Sequence, residues 1–177
     1  DWTVKFSCAI NELVQTYDDH FSSELNNAKQ HTGQQDIAKL MREFLADSKR
    51  TRKRAEHLYQ GQHNETVFKE KVQEYYSLRC VPQILGPVLD TLQHTQRIFE
   101  EELNSANDNP IVDLPTQQVY HGGNFHGDYI SLEMDKLKLV VCSDALFDAQ
   151  GLEGRDYGLT NVYSDVLVEE FHIVSFS

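Results

Sequence analysis

Three side chains set three residues apart, Gln73, Tyr76 and Arg79, carry the most chemistry in this chain. A guanidinium grips a carboxylate through two parallel N–H donors, which suits Arg79 to anchoring an acid. A phenol donates to an anion, or moves a proton once its pKa is lowered, and Tyr76 offers that. The Gln73 amide orients either group. At this spacing all three fall on one side of a helical turn. The competing reading is structural, with Arg79 paired to an internal acid and Tyr76 covering core.

A second segment, His121-Gly122-Gly123-Asn124-Phe125-His126-Gly127, has a different character. Its glycines permit positive φ, a sharp reversal and close backbone approach to a ligand. Asn124 holds a turn, and Phe125 offers one wall of an aromatic pocket. An ordinary tight connection into the next helix is the reading that spacing alone favours. His121 and His126 lack a third ligand at a diagnostic spacing, and neither HExxH nor Cys-x2-Cys occurs, so no metal is expected. A Walker loop, a dinucleotide fingerprint and a nucleophile elbow are also absent.

These segments need elements to hold them. Trp2 to Leu13 reads as a short helix, and the polar stretch from Tyr17 to Gln35 as loop. Ile37, Leu40, Met41, Phe44 and Leu45 recur at helical spacing, with Asp36 as the expected N-cap. Gln60 to Lys71 reads as loop, and the Asn64-Glu65-Thr66 sequon is discounted because no secretory signal is visible. The longest helix is expected from Pro82 or Pro87 to about Asn107, stopped by Asn107-Asp108-Asn109-Pro110. Glu100, Glu101 and Glu102 near its end have a solvated face as their default reading. A small hairpin pairs Ile111 to Asp113 with Gln118 to His121 across Pro115-Thr116-Gln117. A further helix is expected from Asp128 to Val141. Beyond it Gly151, Gly154 and Gly158 interrupt any long helix, and Val166 to Val174 reads as a strand or a sticky tail.

The chain has 177 residues, 40% hydrophobic and 25% charged, enough for one domain. With 16 basic against 28 acidic residues the net charge is −12, which repels phosphate backbones and excludes general nucleic-acid binding. Lys49, Arg50, Arg52, Lys53 and Arg54 form a local exception. They read as a nuclear-import or anion patch or, preferred, as a solvated helix end near the negative dipole pole. No apolar run approaches the roughly 18 residues of a membrane span. Cys8, Cys80 and Cys142 are odd in number and far apart, as expected of reduced thiols in a cytoplasmic protein. The first residue, Asp1, leads to the expectation of a fragment or processed product.

Three stretches together resemble the aromatic amino acid ammonia-lyase family, which includes histidine, phenylalanine and tyrosine ammonia-lyases and related aminomutases. They are Tyr76-Ser77-Leu78-Arg79-Cys80-Val81-Pro82-Gln83-Ile84-Leu85-Gly86, Asn104-Ser105-Ala106-Asn107-Asp108-Asn109-Pro110, and the Gly-Gly-Asn-Phe-His-Gly turn at 122–127. They fall in the family's order with the family's connecting lengths. His31-Thr32-Gly33-Gln34 is similar to the family's His-Pro-Gly-Gln turn, with Thr32 in place of proline. The resemblance runs from about Asn11 to Val141 and is greatest with bacterial histidine/tyrosine-type lyases.

The resemblance implies a mainly α fold, part of the L-aspartase-like helical bundle, with the small hairpin near 111–121. Residues 1–141 would be the central part of a lyase helical domain and 142–177 a divergent tail. It implies elimination of ammonia from an aromatic amino acid to give an α,β-unsaturated acid. Arg79 would bind the substrate carboxylate, Tyr76 would sit beside the electrophile and the amine, and Gln73 would orient them. Phe125 and Asn124 would belong with Arg79 to the substrate-binding set, Phe125 packing near the ring system and Asn124 more a turn holder than a catalyst. The family's cofactor, methylidene-imidazolone, forms from an Ala-Ser-Gly tripeptide, and none occurs in these residues. The isolated chain is therefore expected to be an inactive portion of a homotetrameric enzyme that acts on a small amino acid. The alternative is a non-catalytic helical scaffold that retains the motifs.

Overall fold

The computed structural model describes residues 2–57 and 73–153. The expectations for a loop at 60–71, for Asn64 and for a strand at 166–174 lie outside the described residues. The described residues fall into two compact units, one built on the segment up to Val88 and the other on Leu89–Cys142.

The first unit is organised by two crossing amphipathic helices. Helix α1 (Trp2–Leu13) buries Val4, Ser7, Cys8 and Asn11, one face at three-and-four spacing. Helix α3 (Thr32–Leu45) answers with Ile37, Ala38, Met41 and Leu45. The Cys8 thiol lies 3.3 Å from Met41 Sδ. Burial, then the nearby Glu12 carboxylate, pushes that thiol up to about 12, so it packs as an inert hydrophobe.

The segment expected as loop is largely helical. A 3-10 turn covers Asp18–Phe21, and α2 (Ser23–Asn27) comes next, its first turn capped by Ser22 Oγ accepting from Leu25 N at 3.4 Å. Polar residues mask the helicity in sequence because here they face inward. Asn26 is fully buried; its amide donates to the carbonyls of His20 and Ser22 at 3.1 and 3.0 Å. Its Oδ1 accepts from Gln34 Nε2 at 3.1 Å and from Gln83 Nε2 at 3.5 Å. All its hydrogen-bonding capacity ties α2 to its neighbours, the condition under which a polar core residue is tolerated.

Helix α3 starts at Thr32, earlier than expected, and Asp36 lies inside it rather than capping it. Gly33 and Gln34 are buried because the chain that becomes α6 (Val81–Leu103) crosses there. A Cβ on Gly86 would stand 2.6 Å from Gln34 N and 2.7 Å from its Cα, so this contact requires glycine.

The basic run is not a helix end, since α3 stops at Leu45. Lys53 Nζ lies 2.5 Å from Asp18 Oδ2, and Arg54 holds Asp19 through Nε at 2.5 Å and Nη2 at 3.2 Å. Arg54, at the start of α4 (Arg54–His57), also stacks on the buried Tyr17 ring at 4.5 Å. A parallel bridge between Tyr17 and Arg52 fixes the register. These cations stitch two distant segments together.

In the second unit α6 ends at Leu103, short of the Asn-Asp-Asn-Pro stop. The reason is local: Asn104 Nδ2, Ser105 Oγ and Asn107 Nδ2 donate to the carbonyls of Glu100, Glu101 and Glu102 at 2.7, 2.7 and 3.2 Å. They satisfy carbonyls that a helix end leaves open. The Glu100 and Glu101 carboxylates take Gln96 and Arg97 at i,i−4 on a solvated face. Strands β1 (Ile111–Asp113) and β2 (Gln118–Tyr120) pair antiparallel, Ile111 opposite Tyr120. Gln117 takes φ 53° in their turn.

Helix α7 (Asp128–Glu153) continues well past Val141 and through Gly151. Isolated glycines inside a helix cost only about 1 kcal/mol each, too little to stop it. Glu133 of α7 is buried and takes Thr95 Oγ1 at 3.0 Å, Lys136 Nζ at 2.5 Å and His94 Nε2 at 3.5 Å. Among the described residues no helix is long and apolar enough to cross a membrane.

Candidate functional site

Gln73, Tyr76 and Arg79 do meet. Tyr75 opens a single helical turn, α5 (Tyr76–Arg79), where Arg79 N and Cys80 N donate to the carbonyls of Tyr75 and Tyr76 at 3.1 and 2.9 Å. The turn brings the Arg79 guanidinium over the Tyr76 ring, 4.5 Å from its centroid. Gln73 precedes the turn and accepts from Arg79 Nη1 through Oε1. Buried Leu78 anchors the turn to core. Tyr76 itself is half exposed.

Arg79 borders a cavity of about 480 Å³ in the first unit, with Asp19, His20, Arg54, Gln73 and Gln83 around it. Leu25 and Cys80 complete the lining. Among the described residues Arg79 makes no ion pair, and its Nε is buried without a hydrogen-bond partner. His20 Nε2 and Gln83 Oε1 are in the same condition. Asp19 is committed to Arg54, so among the described lining residues the remaining charge is that of Arg79, with the Glu74 carboxylate near enough to act on His20. His20 is 7% exposed; burial lowers its pKa, more than the adjacent Asp19 raises it, and the imidazole stands neutral. Such a wall favours an anion, and a cavity of this size accommodates a small metabolite.

Sequence reasoning found Gln73, Tyr76 and Arg79, placed Arg54 in a basic run read as solvated in preference to an anion patch, and missed Asp19, His20 and Gln83. Gln83 lies four residues after Arg79, a spacing that pointed to it. Nothing local marked His20 or Asp19, which sit in the stretch expected as loop.

Asn124 and Phe125 belong to the second unit. Asn124 Nδ2 donates to Ala106 O at 3.4 Å, and Asn109 Oδ1 accepts from Gly122 N at 2.9 Å. Neither Gly122 nor Gly123 takes the positive φ expected of it, and a Cβ on either would meet nothing among the described residues. Asn124 lines an open hollow of about 550 Å³ with Asn107, His126, Asp128 and Tyr129. His126 Nδ1 lies 3.0 Å from Asp128 Oδ2 there. Phe125 is 62% exposed and is not part of that lining. Among the described residues no group of three or more His, Cys, Asp or Glu side chains could hold a metal ion.

A sequence profile for the family described as aromatic amino acid lyase matches residues 1–147. Tyrosine 2,3-aminomutase of Myxococcus sp. (strain Mx-B0) is 41% identical over 127 residues, 68% of this chain and 24% of the relative. A probable histidine ammonia-lyase of Thermoplasma volcanium is 41% identical over 138 residues, 78% of this chain and 25% of the relative. The solved structure of Pantoea agglomerans phenylalanine aminomutase superposes with a TM-score of 0.78 at 33% identity, covering 86% of this chain and 30% of that one. The chain thus spans about a quarter of the length of the curated relatives it matches. Its helical elements, the small hairpin and the profile match agree: the chain belongs to the aromatic amino acid lyase family.

Proposed function

We propose that this chain forms the carboxylate-binding part of an aromatic amino acid ammonia-lyase, of the histidine or tyrosine type. The observation that carries the reading is Arg79: a guanidinium without an ion pair among the described residues, stacked on Tyr76, braced by Gln73 and facing a cavity. An α-carboxylate satisfies that cation through charge-assisted hydrogen bonds. Tyr76 then stands beside the reacting amine, with Gln73 orienting the pair.

The elimination is difficult because the β-hydrogen is weakly acidic. In the family a methylidene-imidazolone group supplies the electrophile that turns the amine into a leaving group. The residues present do not fit formation of that group, because these 177 residues contain no Ala-Ser-Gly. By themselves they are expected to bind an amino acid and release no urocanate, coumarate or cinnamate. Appearance of any of these acids in the absorbance spectrum overturns that expectation.

The anchor is tested by titrating L-tyrosine and L-histidine into the chain and into Arg79→Met. Charge-assisted bonds to a buried carboxylate are worth about 1.5–3 kcal/mol, so Arg79→Met is expected to weaken binding at least about tenfold. Unchanged affinity refutes the role of Arg79.

Self-association into the family's tetramer, in the cytoplasm, belongs to the same proposal. In the second unit Leu103, Leu114, Tyr129, Leu132 and Val141 are 82%, 81%, 70%, 61% and 65% exposed, a load of apolar surface that favours association. Light scattering that finds a monomer at high concentration counts against it. The same surface supports the second reading of a non-catalytic helical scaffold. That reading predicts association without amino acid binding.

A further inference from the structure

Three residues that line the Arg79 cavity each carry a side-chain atom that is buried and unpartnered among the described residues: Arg79 Nε, Gln83 Oε1 and His20 Nε2. Burying such groups without partners costs about 1–3 kcal/mol each, so three on one cavity mark a place that something else completes.

Their hydrogen-bonding characters are set by their other contacts. Arg79 Nε–H is a donor only. Asn26 presents its amide N–H groups to two backbone carbonyls, which leaves Oδ1 as the acceptor for Gln83. Gln83 therefore spends Nε2 on Asn26, and its Oε1 remains an acceptor without a partner among the described residues. His20 is neutral, and its Nδ1 lies 3.9 Å from the Asp19 carboxylate. The negative field there keeps the single proton on Nδ1, so Nε2 carries a lone pair.

The wall thus offers one charged donor and two acceptors. A carboxylate alone satisfies the donor and leaves both acceptors bare. A zwitterionic α-amino acid satisfies all three, because its ammonium carries N–H donors beside the carboxylate. Resting on Arg79 as the carboxylate anchor, we propose that Gln83 and His20 are the ammonium-reading pair of this site and select an α-amino acid over the same acid without its amine. The pair also separates substrate from product. Elimination leaves an unsaturated acid that keeps the carboxylate and loses every contact to Gln83 Oε1 and His20 Nε2, which favours its departure.

The test compares, on the full 177-residue chain, the affinity for L-tyrosine with that for 3-(4-hydroxyphenyl)propanoate, and for L-histidine with that for 3-(imidazol-4-yl)propanoate. Each pair differs only in the amine. The amino acid is expected to bind about tenfold or more tightly, the scale of a hydrogen bond to a charged group. Gln83→Leu and His20→Phe are expected to bring the ratio toward one, and Gln83→Glu to raise it. Should the apolar variants lose helicity, Gln83→Glu and His20→Asn supply the same ratio with polar groups retained. A ratio unmoved in all variants overturns the pair, and so does failure of the chain to bind either amino acid. Arg79→Met separates the two claims. If it weakens both members of a pair equally while Gln83 and His20 variants leave the ratio alone, the anchor stands and the ammonium pair falls. If it changes neither member, the anchor itself falls.

Discussion

Around Arg79, groups from residues 19–25, 54 and 73–83 line one cavity, whereas the 121–127 turn leans on Ala106 and Asn109 and leaves Phe125 in solvent. Both segments looked comparable as chemistry-bearing motifs. Distant segments meet at the first because Gly86 lets α6 touch the backbone of α3, and because Asn26 locks α2 against both. The second meets no such neighbours, and its glycines stand in open space. A motif becomes a site when remote segments press against it, and among the described residues the motif so pressed is the one in the first unit.

The contrast is broken most directly at its closest contact. Gly86→Ala places a methyl against main-chain atoms of Gln34 that cannot step aside, and is expected to destabilise the first unit by about 2–3 kcal/mol. Urea melting followed by circular dichroism reads this, and an unshifted midpoint denies the close crossing. Arg54→Ala comes next, removing the paired grip on Asp19 and the stack on Tyr17. The guanidinium is largely buried but Asp19 is not, so about 1–2 kcal/mol is expected, a loss that Arg54→Lys only partly restores.

A smaller effect separates the units by pH. Burial lowers the His20 pKa below its ordinary 6.5, so the folded state binds fewer protons there than the unfolded chain. The stabilisation is complete above 6.5 and is lost as pH falls from there toward the folded value. Glu133 in the second unit is lowered below its ordinary 4.5, chiefly by Lys136, with Thr95 and His94 adding to it. Its contribution is present above 4.5 and is lost as pH falls through its folded value. Melting curves taken from about pH 7.5 down to about pH 3 are expected to show the first unit weakening before the second. His20→Gln flattens the upper step and Glu133→Gln the lower, and a single common step rejects the division.

The smallest change closes the comparison. Gly123→Ala has no positive φ to violate and no neighbour to strike, so stability is expected to stay within about 0.5 kcal/mol or to rise slightly. A loss as large as that of Gly86→Ala would mean that the turn is as tightly packed as the Arg79 cavity.

Local patterning determined much of this protein. The apolar faces of α1 and α3, the hairpin around Gln117 and the Gln73–Tyr76–Arg79 triplet all arise from contacts within a few residues, which period and spacing encode. The motif stretches from Tyr76 to Gly127 likewise carried the family resemblance by themselves. Spacing could not encode where polar residues face. Asn26, Gln34 and His20 read as loop because their partners lie on other segments, and Lys53 and Arg54 read as a solvated run because Asp18 and Asp19 stand 35 positions away. The end of α6 differs for a local reason instead: side chains of Asn104 and Ser105 take carbonyls one turn back and stop the helix before its proline signal is reached. The cavity beside Arg79 is wholly tertiary: its donor was visible in the chain, but the characters of Gln83 and His20 depend on a hydrogen bond to Asn26 and on the Asp19 carboxylate beside Nδ1.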